Sequence, residues 1–161
     1  MILDERSEFA DAVSVAAVAG TALIGDVIDT RIAGTSAQPN DVGLSSDLWL
    51  VIQTDTEIIT GGSAGTIRFQ LASDAQAAIA TDGSASVHFD TGTLVTDDAA
   101  ANDSKLNAGG LIACVKVPRG VYERYLGILC IIGATTVTAG KINAFLTNDV
   151  SAWAAYADAV N

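Results

Sequence analysis

The sequence is short of basic residues, histidine, proline and cysteine. Eight Lys and Arg stand against nineteen Asp and Glu, a formal net charge of −11. A chain this acidic repels phosphate, which argues against nucleic acid as a direct partner. His88 is the sole histidine. A cupin-like metal site, a zinc site or a Ser/His/Asp triad would each rest on that one ring, and no nucleophile elbow accompanies it. Its plainer reading is a half-exposed strand residue. Cys114 and Cys130 are the only cysteines, and two free thiols in a reducing compartment fit them better than a disulfide. The run from Ala12 to Ile24 is broken by Ser14, Gly20 and Thr21 and flanked by Asp11 and Asp26. It is shorter than the roughly 20 residues of a membrane span. The opening Met1-Ile2-Leu3-Asp4-Glu5 is acidic where a signal peptide is basic. No membrane partner is expected, and synthesis in the cytoplasm is.

What is present points to one β domain. Half of the 161 residues are hydrophobic and the mean hydropathy is +0.39. Charged residues are 17% of the chain, below the roughly 25% of ordinary globular proteins. That apolar excess predicts buried subunit interfaces. Fifteen of the acids are Asp and four are Glu. Asp favours turns because its short side chain bonds nearby backbone N–H groups. The 28 Ala, 15 Gly and 15 Thr, together with Val and Ile, suit close-packed strands and tight loops.

Strand signals recur along the chain. They cover 9–18, 21–30, 48–54, 66–72, 86–90, 93–96, 111–117, 124–132 and 141–147. Leu48 to Thr54 is nearly continuous in apolar residues and predicts a strand buried on both faces, with Trp49 in the core. Ile67, Phe69 and Leu71 alternate with Thr66, Arg68 and Gln70, a half-buried strand. Leu111, Ala113, Val115 and Val117 are expected to share a face. Ser73 to Ile79 reads as one helical turn capped by Ser73 or Asp74. Gly61 to Gly65 reads as a hairpin turn, since no P-loop Lys follows it. Residues 31–46 form a long loop of the kind that carries function. The fold class that follows is all-β: a single-domain antiparallel jelly-roll-type sandwich of about eight strands over 1–149. Residues 150–161 make a tail, either a short helix or an extended arm, since Val150, Trp153, Ala157 and Val160 sit at helical spacing.

No constellation of catalytic residues stands out. Asp97, Asp98 and Asp103 are dense but miss the EF-hand spacing, and a solvated turn explains them. Asp26 and Asp29 fall on opposite strand faces. No pair of carboxylates is selected for glycoside hydrolysis. Catalytic, cofactor and metal residues are therefore all expected to be absent. Trp153 suits a packing anchor better than a sugar platform.

Three stretches carry a resemblance. Met1-Ile2-Leu3-Asp4 leads to Val27-Ile28-Asp29. Val117-Pro118-Arg119-Gly120 is followed by Glu123-Arg124-Tyr125-Leu126, and Thr138-Ala139-Gly140-Lys141-Ile142-Asn143-Ala144 comes last. In this order they resemble the jelly-roll cement, or decoration, proteins of tailed-phage capsids. The 31–46 loop and the tail after Asp149 depart from that pattern. The resemblance implies a homotrimer on the outer capsid surface that bridges major capsid protein subunits, with no enzymatic residues. Candidate interface residues are Arg31, Pro39, Asn40, Arg119, Tyr122, Arg124, Trp153 and Tyr156. For Arg124-Tyr125 a local role is favoured, Arg124 tying down an Asp while Tyr125 packs. A jelly-roll carbohydrate- or receptor-binding module is the alternative function, and an enzyme built on an Asp pair is a third.

Overall fold

The computed structural model describes residues 5–30, 42, 47–61, 64–97 and 103–150. Among these residues, nine strands carry nearly all of the regular structure: β1 (Glu8–Ser14), β2 (Gly20–Asp29), β3 (Trp49–Ile59), β4 (Gly65–Asp74), β5 (Ser86–Asp90), β6 (Leu94–Thr96), β7 (Leu111–Lys116), β8 (Tyr125–Gly133) and β9 (Ala139–Thr147). Two single 3-10 turns, Glu5–Ser7 and Ser104–Leu106, are the only helical pieces among the described residues. No helix among them is long and apolar enough to cross a membrane.

The strands form two antiparallel sheets, ordered β1-β9-β3-β7 and β2-β8-β4-β5. β6 pairs with the same strand as β5, further along β4. The two therefore act as one strand interrupted at Thr91-Gly92-Thr93. Counted that way, the first strand pairs with the last, the second with the second last, and the third with the third last. This nested pairing makes the molecule a jelly-roll sandwich. Ladders between residues far apart in sequence dominate such a fold, so local signals alone cannot set it.

The main core lies between the sheets. Leu50 and Ile52 of β3 and Ile142, Ala144 and Leu146 of β9 face Ile67, Phe69 and Leu71 of β4 and Leu126, Ile128 and Ile132 of β8. The period-2 alternation expected at 66–72 holds: Thr66, Arg68 and Gln70 are only half-buried. A second, smaller core sits on the far face of the second sheet. There Ile79 of the β4–β5 connection packs with Ala72 and Leu129, flanked by Leu23, Val27 and Ile131. Gly127 allows this cover, because a Cβ there would stand 2.6 Å from the Ile79 side chain.

Several local expectations are corrected. Ser73 to Ile79 is not helical: β4 runs on to Asp74 and the chain then bends irregularly. Asp74 does cap backbone, accepting N–H from Gln76 at 3.1 Å and Ala80 at 3.0 Å. These bonds hold its carboxyl below the ordinary range. Gly61 to Gly65 is no hairpin, since β3 and β4 lie in different sheets and the segment crosses between them. Trp49 is half-buried rather than core, while Val51 is buried on the opposite face from Leu50. Leu111 is 46% exposed whereas Ile112 and Ala113 are both buried. A bulge opposite Ile52 and Gln53 breaks the alternation there. Cys114 on β7 and Cys130 on β8 belong to different sheets, and both are free thiols. The 150–161 tail lies outside the described residues beyond Val150.

Candidate contact surface

One end of the sandwich holds the attachment points of the segments that the sequence singles out. The chain leaves β2 at Thr30, whose N–H and hydroxyl both donate to the Arg124 carbonyl, at 3.0 and 2.6 Å. It returns at Leu48, whose carbonyl accepts the Val117 N–H at 2.9 Å. Both stems of the 31–46 segment are thus bonded to the two ends of the β7–β8 loop, residues 117–124. At the same end, Trp49 pairs with Thr147 near the close of β9 and with Lys116 at the close of β7. The 150–161 tail departs from there. Of the candidate interface residues, Arg31, Pro39, Asn40, Trp153 and Tyr156 lie outside the described residues, but they belong to segments rooted at this end.

The β7–β8 loop is held at its base and open at its tip. Pro118 cannot continue β7 as a hydrogen-bonded ladder strand, and Gly120 lets the chain turn. Tyr122 folds inward, 7% exposed, and donates its hydroxyl to the Pro118 carbonyl at 2.7 Å. Burial pushes its pKa up to about 12. Its ring stacks on His88 with centroids 3.7 Å apart. Glu123 donates its backbone N–H to the Ser73 hydroxyl at 3.0 Å, and its carboxylate accepts from the Ser86 hydroxyl at 2.7 Å. Arg124 grips Asp29 with two bonds, Nε to Oδ1 at 3.0 Å and Nη2 to Oδ2 at 2.7 Å. Its guanidinium stands 4.8 Å from the Tyr125 ring centre, within cation–π reach. The Asp29 hydrogen bond raises the Arg124 pKa further. This pair is partly open to solvent, so it positions the loop more than it stabilises the fold.

Arg119 and Val121 stand at the tip between these anchors. Val121 is 92% exposed. Arg119 is exposed and makes no ion pair among the described residues. A lone apolar side chain is ordinary on a surface. One beside an exposed cation, on a loop pinned at both stems, is a preorganised protrusion. The structure thus separates the candidates that sequence reading grouped: Arg119 faces out, Tyr122 turns inward, and Arg124 is tied to Asp29 at the surface. Arg124 takes the local role favoured for it, with Asp29 as the acid. Val121 escaped notice in the sequence, although an apolar residue directly after a Pro-Arg-Gly turn was a visible signal.

His88 is half-buried, and desolvation lowers its pKa while Glu123 works against that shift. Its Nε2 lies 2.7 Å from the Ser73 hydroxyl. The spacing resembles a nucleophile and its base, but Ser73 is fully buried and its oxygen is already engaged by Glu123. The pair ties β4, β5 and the loop together. Among the described residues, no group of three or more His, Cys, Asp or Glu could hold a metal ion.

The family model Bbp16 matches residues 9–146, so the chain belongs to the Bbp16 family, which is phage-related. No curated protein matches the chain.

Proposed function

We propose that this member of the Bbp16 family is a structural virion protein, a cement or decoration protein. It forms a homotrimer on the outer capsid surface and stabilises the shell by bridging major capsid protein subunits. The observation that carries the reading is the shared root of three segments. The 31–46 segment, the 117–124 loop and the 150–161 tail all attach to one end of a rigid sandwich. A protein that binds through one end, in three copies held together, gains by effective concentration and needs no single strong contact. A net charge of −11 per chain keeps copies soluble and away from packaged DNA. The reading assigns the chain no catalytic step, no cofactor and no nucleic-acid or membrane partner. It is made in the host cytoplasm and works on the virion.

Sedimentation and co-sedimentation with expanded capsid shells test this. The purified protein is expected to run as a trimer and to pellet with shells. The double variant Arg119→Glu, Val121→Asp should keep its melting temperature and lose most of its binding. A folded monomer, or a trimer that leaves shells in the supernatant, overturns the reading.

A further inference from the structure

The loop that carries the proposed contact is joined to the sandwich through the chain's single histidine. His88 sits at a bulge in β5: Leu71 pairs with Phe89 and Ala72 with Val87, leaving His88 as the extra residue. A bulge re-aims the side chain it frees, and here the ring meets Ser73 and Tyr122. We propose that Ser73, His88 and Glu123 form an acid-sensitive latch, which holds the 117–124 loop while His88 is neutral and slackens when His88 takes up a proton.

The hydrogen-bond inventory sets the direction. The Ser73 oxygen accepts the Glu123 N–H. Its own O–H, in a fully buried residue, has one acceptor among the described residues, His88 Nε2. The ring must therefore carry its proton on Nδ1 and leave Nε2 bare. Protonation places a hydrogen on Nε2. Two donors then face each other, and the serine O–H must turn to a buried site that offers no other acceptor among the described residues. The serine oxygen that anchors Glu123 is the atom disturbed.

The groups around His88 are few. Glu123, from the loop, favours the cation. The Tyr122 hydroxyl is turned to Pro118 and stays protonated. On β4, the Asp74 carboxylate is engaged by Gln76 and Ala80. On β5, Asp90 is engaged by Arg68 and Gln70. Burial outweighs Glu123 and disfavours the cation. The sign follows: the folded state binds the proton less well than the unfolded chain. The latch is intact above the ordinary imidazole pKa of about 6.5 and is lost as pH falls below it. The functional meaning, release of the shell contact in acid, rests on the cement reading; the latch itself is measured without shells.

Two measurements on the intact chain decide it. In NMR the lone imidazole should appear as the Nδ1–H tautomer at neutral pH and titrate below about 6.5. Hydrogen exchange, corrected for intrinsic rates, should show the Glu123 amide losing protection between pH 8 and pH 5. In His88→Gln, which retains an acceptor but gains no proton, that protection should not change with pH. A ring protonated on Nε2 at neutral pH, a midpoint at or above 6.5, or wild-type protection that ignores pH overturns the latch. Failure to bind shells at any pH overturns the cement reading instead.

Discussion

Replacing Tyr122 by phenylalanine leaves its ring on His88 and removes one hydroxyl. That hydroxyl lies 2.7 Å from the Pro118 carbonyl in a residue 7% exposed. The net value of such a bond is about 0.5–1.5 kcal/mol, and the carbonyl of the half-buried Pro118 loses this donor as well. Tyr122→Phe should therefore cost about 1–2 kcal/mol. For a chain of this length each kcal/mol shifts the melting temperature by about 2–4 °C, so a fall of about 2–8 °C is expected. Tyr122→Ala also removes the ring from the core and from the His88 stack, raising the cost to about 3–5 kcal/mol. The hydroxyl carries a pH signature as well. Burial holds it at about 12, above the ordinary value of about 10. Its contribution is whole below pH ~10 and is lost as pH rises towards ~12. Tyr122→Phe should remove that part of the alkaline destabilisation. Thermal unfolding of the three proteins, at pH 7 and across the alkaline range, provides the comparison. If alanine costs no more than phenylalanine, the ring does not anchor the loop and the argument for a preorganised tip fails.

Two other outcomes are expected. Gly25 has φ +65 and lies where β2 bulges over β1; a Cβ there would fall on the Phe9 carbonyl oxygen. Gly25→Ala should lower stability by about 2–5 kcal/mol, adding the left-handed penalty to the overpacking, and a melting temperature within a degree of wild type would contradict the close approach. Burial pushes the Cys130 thiol up to about 12, whereas Cys114 is only half-buried. A thiol reagent at pH 8 should therefore label one cysteine in the native protein and two in denaturant; two fast native reactions would place Cys130 outside the core.

The sequence by itself determined the strand inventory and the inward faces. Alternation of apolar and polar side chains is a property of neighbours along the chain, so Ile67, Phe69 and Leu71 announced their burial. Where a bulge shifts the phase, as at Leu111, the local pattern misled. The same holds where an apolar residue is drawn over a sheet's far face, as Ile79 is. Arg124 declared its charge but not its acid, because Asp29 meets it only when β2 pairs with β8. Pairing β2 with β8, and β3 with β7 and β9, places Thr30 and Leu48 against the ends of the 117–124 loop and Thr147 beside Trp49. Those contacts join residues far apart in sequence, and no period or motif encodes them. The tertiary structure alone decided that the roots of the long segment and of the tail lie at the same end as the loop. It also decided that Arg119 and Val121 face out there while Tyr122 and Arg124 hold them in place.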